Sequence, residues 1–140
     1  MYGIEKSLLK KLQRVQNVAA QIVTRKSSSE NLKVLHWLPV KQRIHYKIAL
    51  LVFKCLNDMG PSYLKDLLKP YSPTTSYELR SLEASPLDEP DIRLEYGRRA
   101  FSYSGPKIWN LLPAELKSDI SLNSFKSGLK TMLFKQAFHV

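Results

Sequence analysis

The chain has 140 residues, 44% hydrophobic and 24% charged, a one-domain length with too much apolar content for disorder. Lys and Arg number 22 against 12 Asp and Glu, a net charge of +10 that favours an anionic partner: nucleic acid, an acidic protein or an anionic membrane surface. The single cysteine, Cys55, excludes an intramolecular disulfide, and no apolar run approaches the ~20 residues of a membrane span.

Residues 5–25 read as a long helix. Leu8, Leu12, Val15, Ala19 and Ile22 recur at spacings of four, three, four and three, the signature of one helical face. Val18 and Val23 flank this stripe. Lys10, Arg14, Gln21 and Arg25 occupy the other side. A coiled-coil pairing is the structural alternative. Lys26 to Ser29 form a polar break, with Ser28 or Ser29 as N-cap of a short helix over 30–35. Pro39 disfavours helical geometry at Leu38 and suits the first turn of the next helix.

That next helix, residues 41–57, is expected at the centre of the fold. Ile44, Ile48, Leu51 and Cys55 share one face, and Ala49, Val52, Phe53 and Leu56 widen it. A helix this apolar packs on several sides. The narrow remaining arc carries Arg43, Lys47 and Lys54, read either as a solvated face or as a ridge facing phosphates. Gly60 and Pro61 are the stop signal. A short helix over 61–68 follows, opened by Pro61 and closed by Pro70.

Residues 71–91 are rich in Ser, Thr and Glu and punctuated by Pro73, Pro86 and Pro90, as expected of an exposed connection. Ile92, Leu94 and Tyr96 alternate with Arg93 and Glu95, which fits a short strand. Residues 100–103 fit either a second strand or a helix start. Pro106 is expected to open a short helix and Pro113 to stop it, with Trp109 as a core anchor. Ser121 is read as the cap of a last helix with Leu122, Phe125, Leu129, Met132 and Leu133 inside, and Lys126, Lys130 and Lys135 outside. The fold class is thus mainly α: one domain over 1–140, with a helical first half (1–70), an exposed connection (71–91) and a strand-and-helix second half (92–140) that leaves room for a short β-hairpin.

The catalytic inventory is thin. None of His36, His45 and His139 shares a metal-ligand spacing with Cys55. Asp88, Glu89 and Asp91 are the acidic cluster, read as a solvated loop in preference to a weak divalent-ion site. A glycine-rich phosphate loop, a nucleophile elbow and adjacent aspartates are all missing from the sequence. No cofactor, metal or small-molecule substrate is therefore expected, and no independent enzyme. Basic residues interleaved with aromatics stand out instead, above all Tyr96-Gly97-Arg98-Arg99-Ala100-Phe101-Ser102-Tyr103. Arg pairs with phosphates and aromatic rings stack on unpaired bases. The alternative is that the rings face the core. The candidate nucleic-acid-binding residues are Lys10, Arg14, Arg25, Arg43, Lys47, Lys54, Arg98, Arg99 and Lys107, a continuous ridge if their elements share one side of the fold. RNA or single-stranded DNA is the expected partner. Met1 to Leu12 lack the apolar core of a secretory signal, so an intracellular place, nucleus or cytoplasm, is expected.

A series of blocks adds to this reading: Leu12-x-x-Val15-Gln16-Asn17-x-Ala19-Ala20, Leu35-His36-Trp37-Leu38-Pro39-Val40-Lys41-Gln42-Arg43-Ile44, Tyr63-Leu64, Leu67-Leu68, Arg99-Ala100-Phe101, Pro106-x-Ile108-Trp109-Asn110-x-Leu112-Pro113 and Ser124-Phe125-Lys126 with Leu129-Lys130. In this order they resemble the C-terminal segment of the polyprotein of LINE-type (non-LTR), jockey-like retrotransposons, over roughly residues 8–134. Arg98 departs from the acidic residue expected before the Arg-Ala-Phe block. The resemblance implies a segment downstream of a reverse transcriptase, whose catalytic residues belong to upstream regions. It implies an accessory, non-catalytic module that holds nucleic acid, a partner in the upstream polymerase, and a remnant or truncated copy of such an element. The alternative is a structural or protein-interaction piece that packs on the polymerase without activity of its own.

Overall fold

In a computed structural model the described residues are 5–28, 30–72, 86–94, 96–118 and 121–139, and they are mainly helical. Among the described residues seven α-helices follow one another: α1 (Lys6–Thr24), α2 (Asn31–Val34), α3 (Val40–Leu56), α4 (Ser62–Lys65), α5 (Phe101–Asn110), α6 (Ala114–Lys117) and α7 (Leu122–Phe138). No helix among these residues is long and apolar enough to cross a membrane.

α3 is the hub. It packs against α1, α4, α5 and α7. Its buried residues are Ala49, Val52, Phe53 and Cys55, while Ile44, Ile48 and Leu51 are half-buried. The inward face is therefore turned from the Ile44–Ile48–Leu51 line toward Val52. The cause is the helix itself: apolar residues cover most of its circumference, so periodicity alone does not choose the inner side. The Phe53 and Phe125 rings stack at 4.1 Å between centroids, joining α3 to α7. Trp109, 3% exposed, leans on the same Phe125 at 6.2 Å, so the expected anchor of the second half lies in the shared core. Its indole N–H is buried with no acceptor among the described residues.

Close approaches explain two glycines. A Cβ on Gly105 would stand 3.2 Å from Val52 Cγ2 and 3.3 Å from Leu68 Cδ2, so a bare backbone lets α5 cross α3 tightly. A Cβ on Gly60 would meet Cys55 Sγ at 2.8 Å. Gly60 therefore lies over the end of α3, but it is not the residue that turns the chain. Asp58 does that, at φ 55, while Met59 N–H donates to Lys54 O at 2.8 Å in a Schellman closure. α2 ends the same way: His36 takes φ 53 and Trp37 N–H donates to Leu32 O at 2.8 Å.

Other expectations of the second half change. The Ile92–Tyr96 strand is absent: its described residues lead without strand pairing into a 3₁₀ turn, Gly97–Arg99. Alternation over three apolar residues is too short to hold a strand with no partner beside it. The β-hairpin is likewise missing among the described residues, where the β pairing is one isolated antiparallel bridge, Pro70 with Leu87. Pro106 lies inside α5 and does not open it; the helix starts at Phe101, settling residues 100–103 as a helix start. Pro113 flanks α6 as its N-cap residue, so it begins a helix as well as ending one. Ser121 does cap α7, its Oγ accepting from Ser124 N–H at 3.2 Å. Ser28 is not the N-cap of α2: Glu30 holds that position with no side-chain cap, while Ser28 Oγ accepts from Glu30 N–H at 3.2 Å, and Ser29 lies outside the described residues.

The connection expected over 71–91 is anchored at its far end. Leu87 is buried. Asn110 grips it from α5: its Nδ2 donates to Leu87 O and its Oδ1 accepts from Leu87 N–H, each at 2.9 Å. The side-chain amide thus acts as a short piece of neighbouring strand. Most of the connection, 73–85, lies outside the described residues. Asn110→Ala removes both bonds and strands two backbone groups, so a loss of about 1–3 kcal/mol is expected. A urea midpoint unchanged from the parent would exclude this role for Asn110.

Candidate nucleic-acid interface

α1 is held by amides. Gln16 Nε2 donates to Leu38 O at 2.9 Å, and Gln13 Oε1 accepts from Val40 N–H at 2.9 Å. The second bond caps α3 from outside. Pro39 makes no side-chain cap there, so Gln13 satisfies one of the donors that a helix start leaves without a partner. The buried residues of α1 are Gln16 and Ala20. The apolar stripe expected to face the core, Leu8, Leu12, Val15 and Ile22, is exposed instead.

This arrangement fixes where the nine basic candidates lie. Lys10 and Arg14 are exposed and one turn apart on α1, while Arg25 sits past its end, at φ 54. Arg43 and Lys47 are exposed on α3 and Lys54 is half-buried. At 100° per residue these three fall within about 40° of one another, on a line about 17 Å long. That line lies roughly 160° around the axis from Val52, which meets α5. The 3₁₀ turn carries Arg98 and Arg99, both exposed. Arg98 Nε donates to Ile92 O at 3.1 Å. The Arg99 guanidinium lies 5.0 Å from the centroid of the Tyr96 ring, and that tyrosine is 79% exposed. Lys107 is half-buried on α5, its Nζ donating to Tyr103 Oη at 3.2 Å.

A single ridge would need these groups on one side. α5 packs on the Val52 side of α3, so Lys107 is carried across the hub from the Arg43–Lys54 line. The interleaved aromatics also divide. Phe101 packs against the core and Tyr103 is half-buried, whereas Tyr96 projects outward.

The charge is weakly compensated. Between described residues one ion pair forms, Lys65 with Asp58, just past the C-terminal end of α3. Arg43, Lys47 and Lys54 have no acidic partner among the described residues. Asp88 and Asp91 are exposed, and Glu89 Oε1 accepts from Asn110 Nδ2 at 3.0 Å. Among the described residues no group of three or more His, Cys, Asp or Glu could hold a metal.

The remaining reactive groups are buried or structural. Burial pushes the Cys55 thiol pKa up, which makes it a poor nucleophile. His36 stacks on Phe134 at 5.5 Å. His45 borders an apolar cavity of about 290 Å³ between α3, α5 and α7. Burial first, and nearby Lys41 second, hold its pKa below the ordinary 6.5. Folded His45 then stays neutral while the unfolded imidazole takes up a proton. Stability should therefore be full above pH 6.5 and fall as pH drops through that value. His45→Phe should flatten this part of the profile. Thermal melts of parent and variant on either side of that pH check it, and parallel profiles would contradict it.

Sequence reading missed Gln13, Gln16 and Asn110 as fixing residues. Gln16 and Asn110 do lie in the ordered blocks, which was the one signal available. No family model, no curated protein and no solved structure matches the chain.

Proposed function

We propose that the chain is an accessory, nucleic-acid-binding C-terminal fragment of a retrotransposon RNA-directed DNA polymerase, without catalysis of its own. The observation that carries the binding reading is the line of Arg43, Lys47 and Lys54. Three cations stand on one outward arc of the best-packed helix, with no acidic partner among the described residues. A rigid helix presents charges at fixed intervals without the entropy cost of ordering a loop. The exposed Tyr96 ring beside Arg99 adds a platform on which an unpaired base can stack. RNA or single-stranded DNA fits that pair of features better than duplex DNA, whose bases are already stacked. The polymerase origin rests on the resemblance alone, which also suggests the upstream polymerase as a partner; the nucleus or cytoplasm as the place of action rests on the sequence reading of Met1 to Leu12.

Binding of an unstructured, labelled RNA followed by anisotropy across a salt series tests the proposal. Three phosphate contacts to a single strand give a slope of about −2 in log K against log salt. Absence of binding, or binding indifferent to salt, would overturn it. The exposed stripe of α1 is the observation that favours the alternative, a module that packs on another protein.

A further inference from the structure

The apolar stripe of α1 is the largest feature that the nucleic-acid reading leaves unused. Leu12 is 48% exposed, Val15 67% and Ile22 72%, with Leu8, Val18 and Val23 also open. Their spacing of four and three is the narrow seam of a coiled coil, sustained along a helix of 19 residues. Isolated surface leucines need no explanation, but a contiguous stripe of them does.

The two borders of the stripe differ. On one side lie Gln16 and Ala20, sealed against the body of the domain. On the other lie Lys11 and Arg14, exposed, with Lys10 beyond them. From Lys6 to Thr24 there is no acidic residue. The open border thus carries cations and no anion, with the neutral Ser7, Val18 and Gln21 among them, and its cations crowd the N-terminal half of the helix, where the macrodipole is already positive. An occupant with carboxylates along that border would relieve both effects.

We infer that the Leu8–Ile22 stripe of α1 docks an amphipathic helix of another protein, one whose apolar seam is flanked by Asp or Glu. A second copy of the chain fits less well. Antiparallel, it would set basic border against basic border; parallel, it would bring two cationic N-terminal halves together. A membrane surface also fits less well. The helix has no aromatic residue, where interfacial helices carry Trp and Phe on the apolar face. The inference uses neither the α3 line nor Tyr96, the features that carry the nucleic-acid reading, and shares with it only the candidates Lys10 and Arg14.

The test uses two designed helical peptides of about four heptads with the same Leu and Ile seam, one with Glu and one with Lys at the flanking positions. The full chain should bind the Glu peptide at least about tenfold more tightly than the Lys peptide. Leu12→Gln with Val15→Gln, both at open positions, should keep the helical circular dichroism and weaken Glu-peptide binding about tenfold. Lys11→Glu with Arg14→Glu should reverse the preference between the peptides. Equal binding of both peptides, or Glu-peptide binding unaffected by the double Gln variant, would overturn the inference. So would a stripe-dependent dimer in sedimentation. Stripe-dependent co-sedimentation with phosphatidylserine vesicles, without preference for the Glu peptide, would also overturn it. RNA binding is read separately in the double Gln variant, which leaves every candidate cation in place, so the two readings can fail independently.

Discussion

Val52→Asp should leave no cooperatively folded protein. Val52 is fully buried in α3, and its Cγ2 lies where α5 crosses over Gly105. The substitution removes an apolar contact at the close α3–α5 crossing and puts a carboxylate there. A buried charge without a partner, added to the lost packing, costs more than about 4 kcal/mol. That is comparable with the whole stability of a domain this size, about 5–15 kcal/mol. Ile48→Asp is the informative comparison. Ile48 is half-buried, so its carboxylate keeps water and the expected loss is about 1–3 kcal/mol. A thermal melt that finds Val52→Asp as stable as the parent, or Ile48→Asp the worse of the two, would mean that the inner face of α3 is not the Val52 side.

The second large effect is on binding. Arg43→Glu, Lys47→Glu and Lys54→Glu together reverse three charges, each change being −2, so the net charge falls from +10 to +4. If all three cations meet phosphates, the salt slope should fall by about 2 units and affinity at low salt at least tenfold. Net charge alone would also weaken binding, so a control is needed. Lys26→Glu, Lys130→Glu and Lys135→Glu change three exposed lysines outside the line and reach the same net charge. The control should retain most of the slope. Equal losses in the two variants would mean that the α3 line is only a solvated face.

Much of the fold was legible because helices announce themselves locally. The four-three periodicity of α1 and α7, the Ser121 cap and the apolar density of α3 all point to helices before any contact is considered. What periodicity could not supply was orientation. α3 is apolar almost all round, so its pattern admits several inner faces. α1 has a clear stripe, and the stripe points outward because Gln13 and Gln16 tie the adjacent face to Leu38 and Val40. Side-chain amides reaching across more than 20 residues leave no periodic trace. Leu87 was lost for the same reason: its holds are an asparagine on a distant helix and an isolated bridge to Pro70. Pro106 misled by a local rule, since proline more often opens a helix than sits in its sixth position. For the candidate site, each basic group was readable, but which groups share a side was not. That depends on α5 crossing at Val52, a tertiary fact set by the absence of a side chain at Gly105.

Chemical-shift mapping during titration with single-stranded RNA tests the central claim most directly. The largest movements are expected at Arg43, Lys47 and Lys54, with the Tyr96 ring moving alongside if a base stacks there. A titration that binds RNA while those three residues stay still would place the interface elsewhere and contradict the reading of α3.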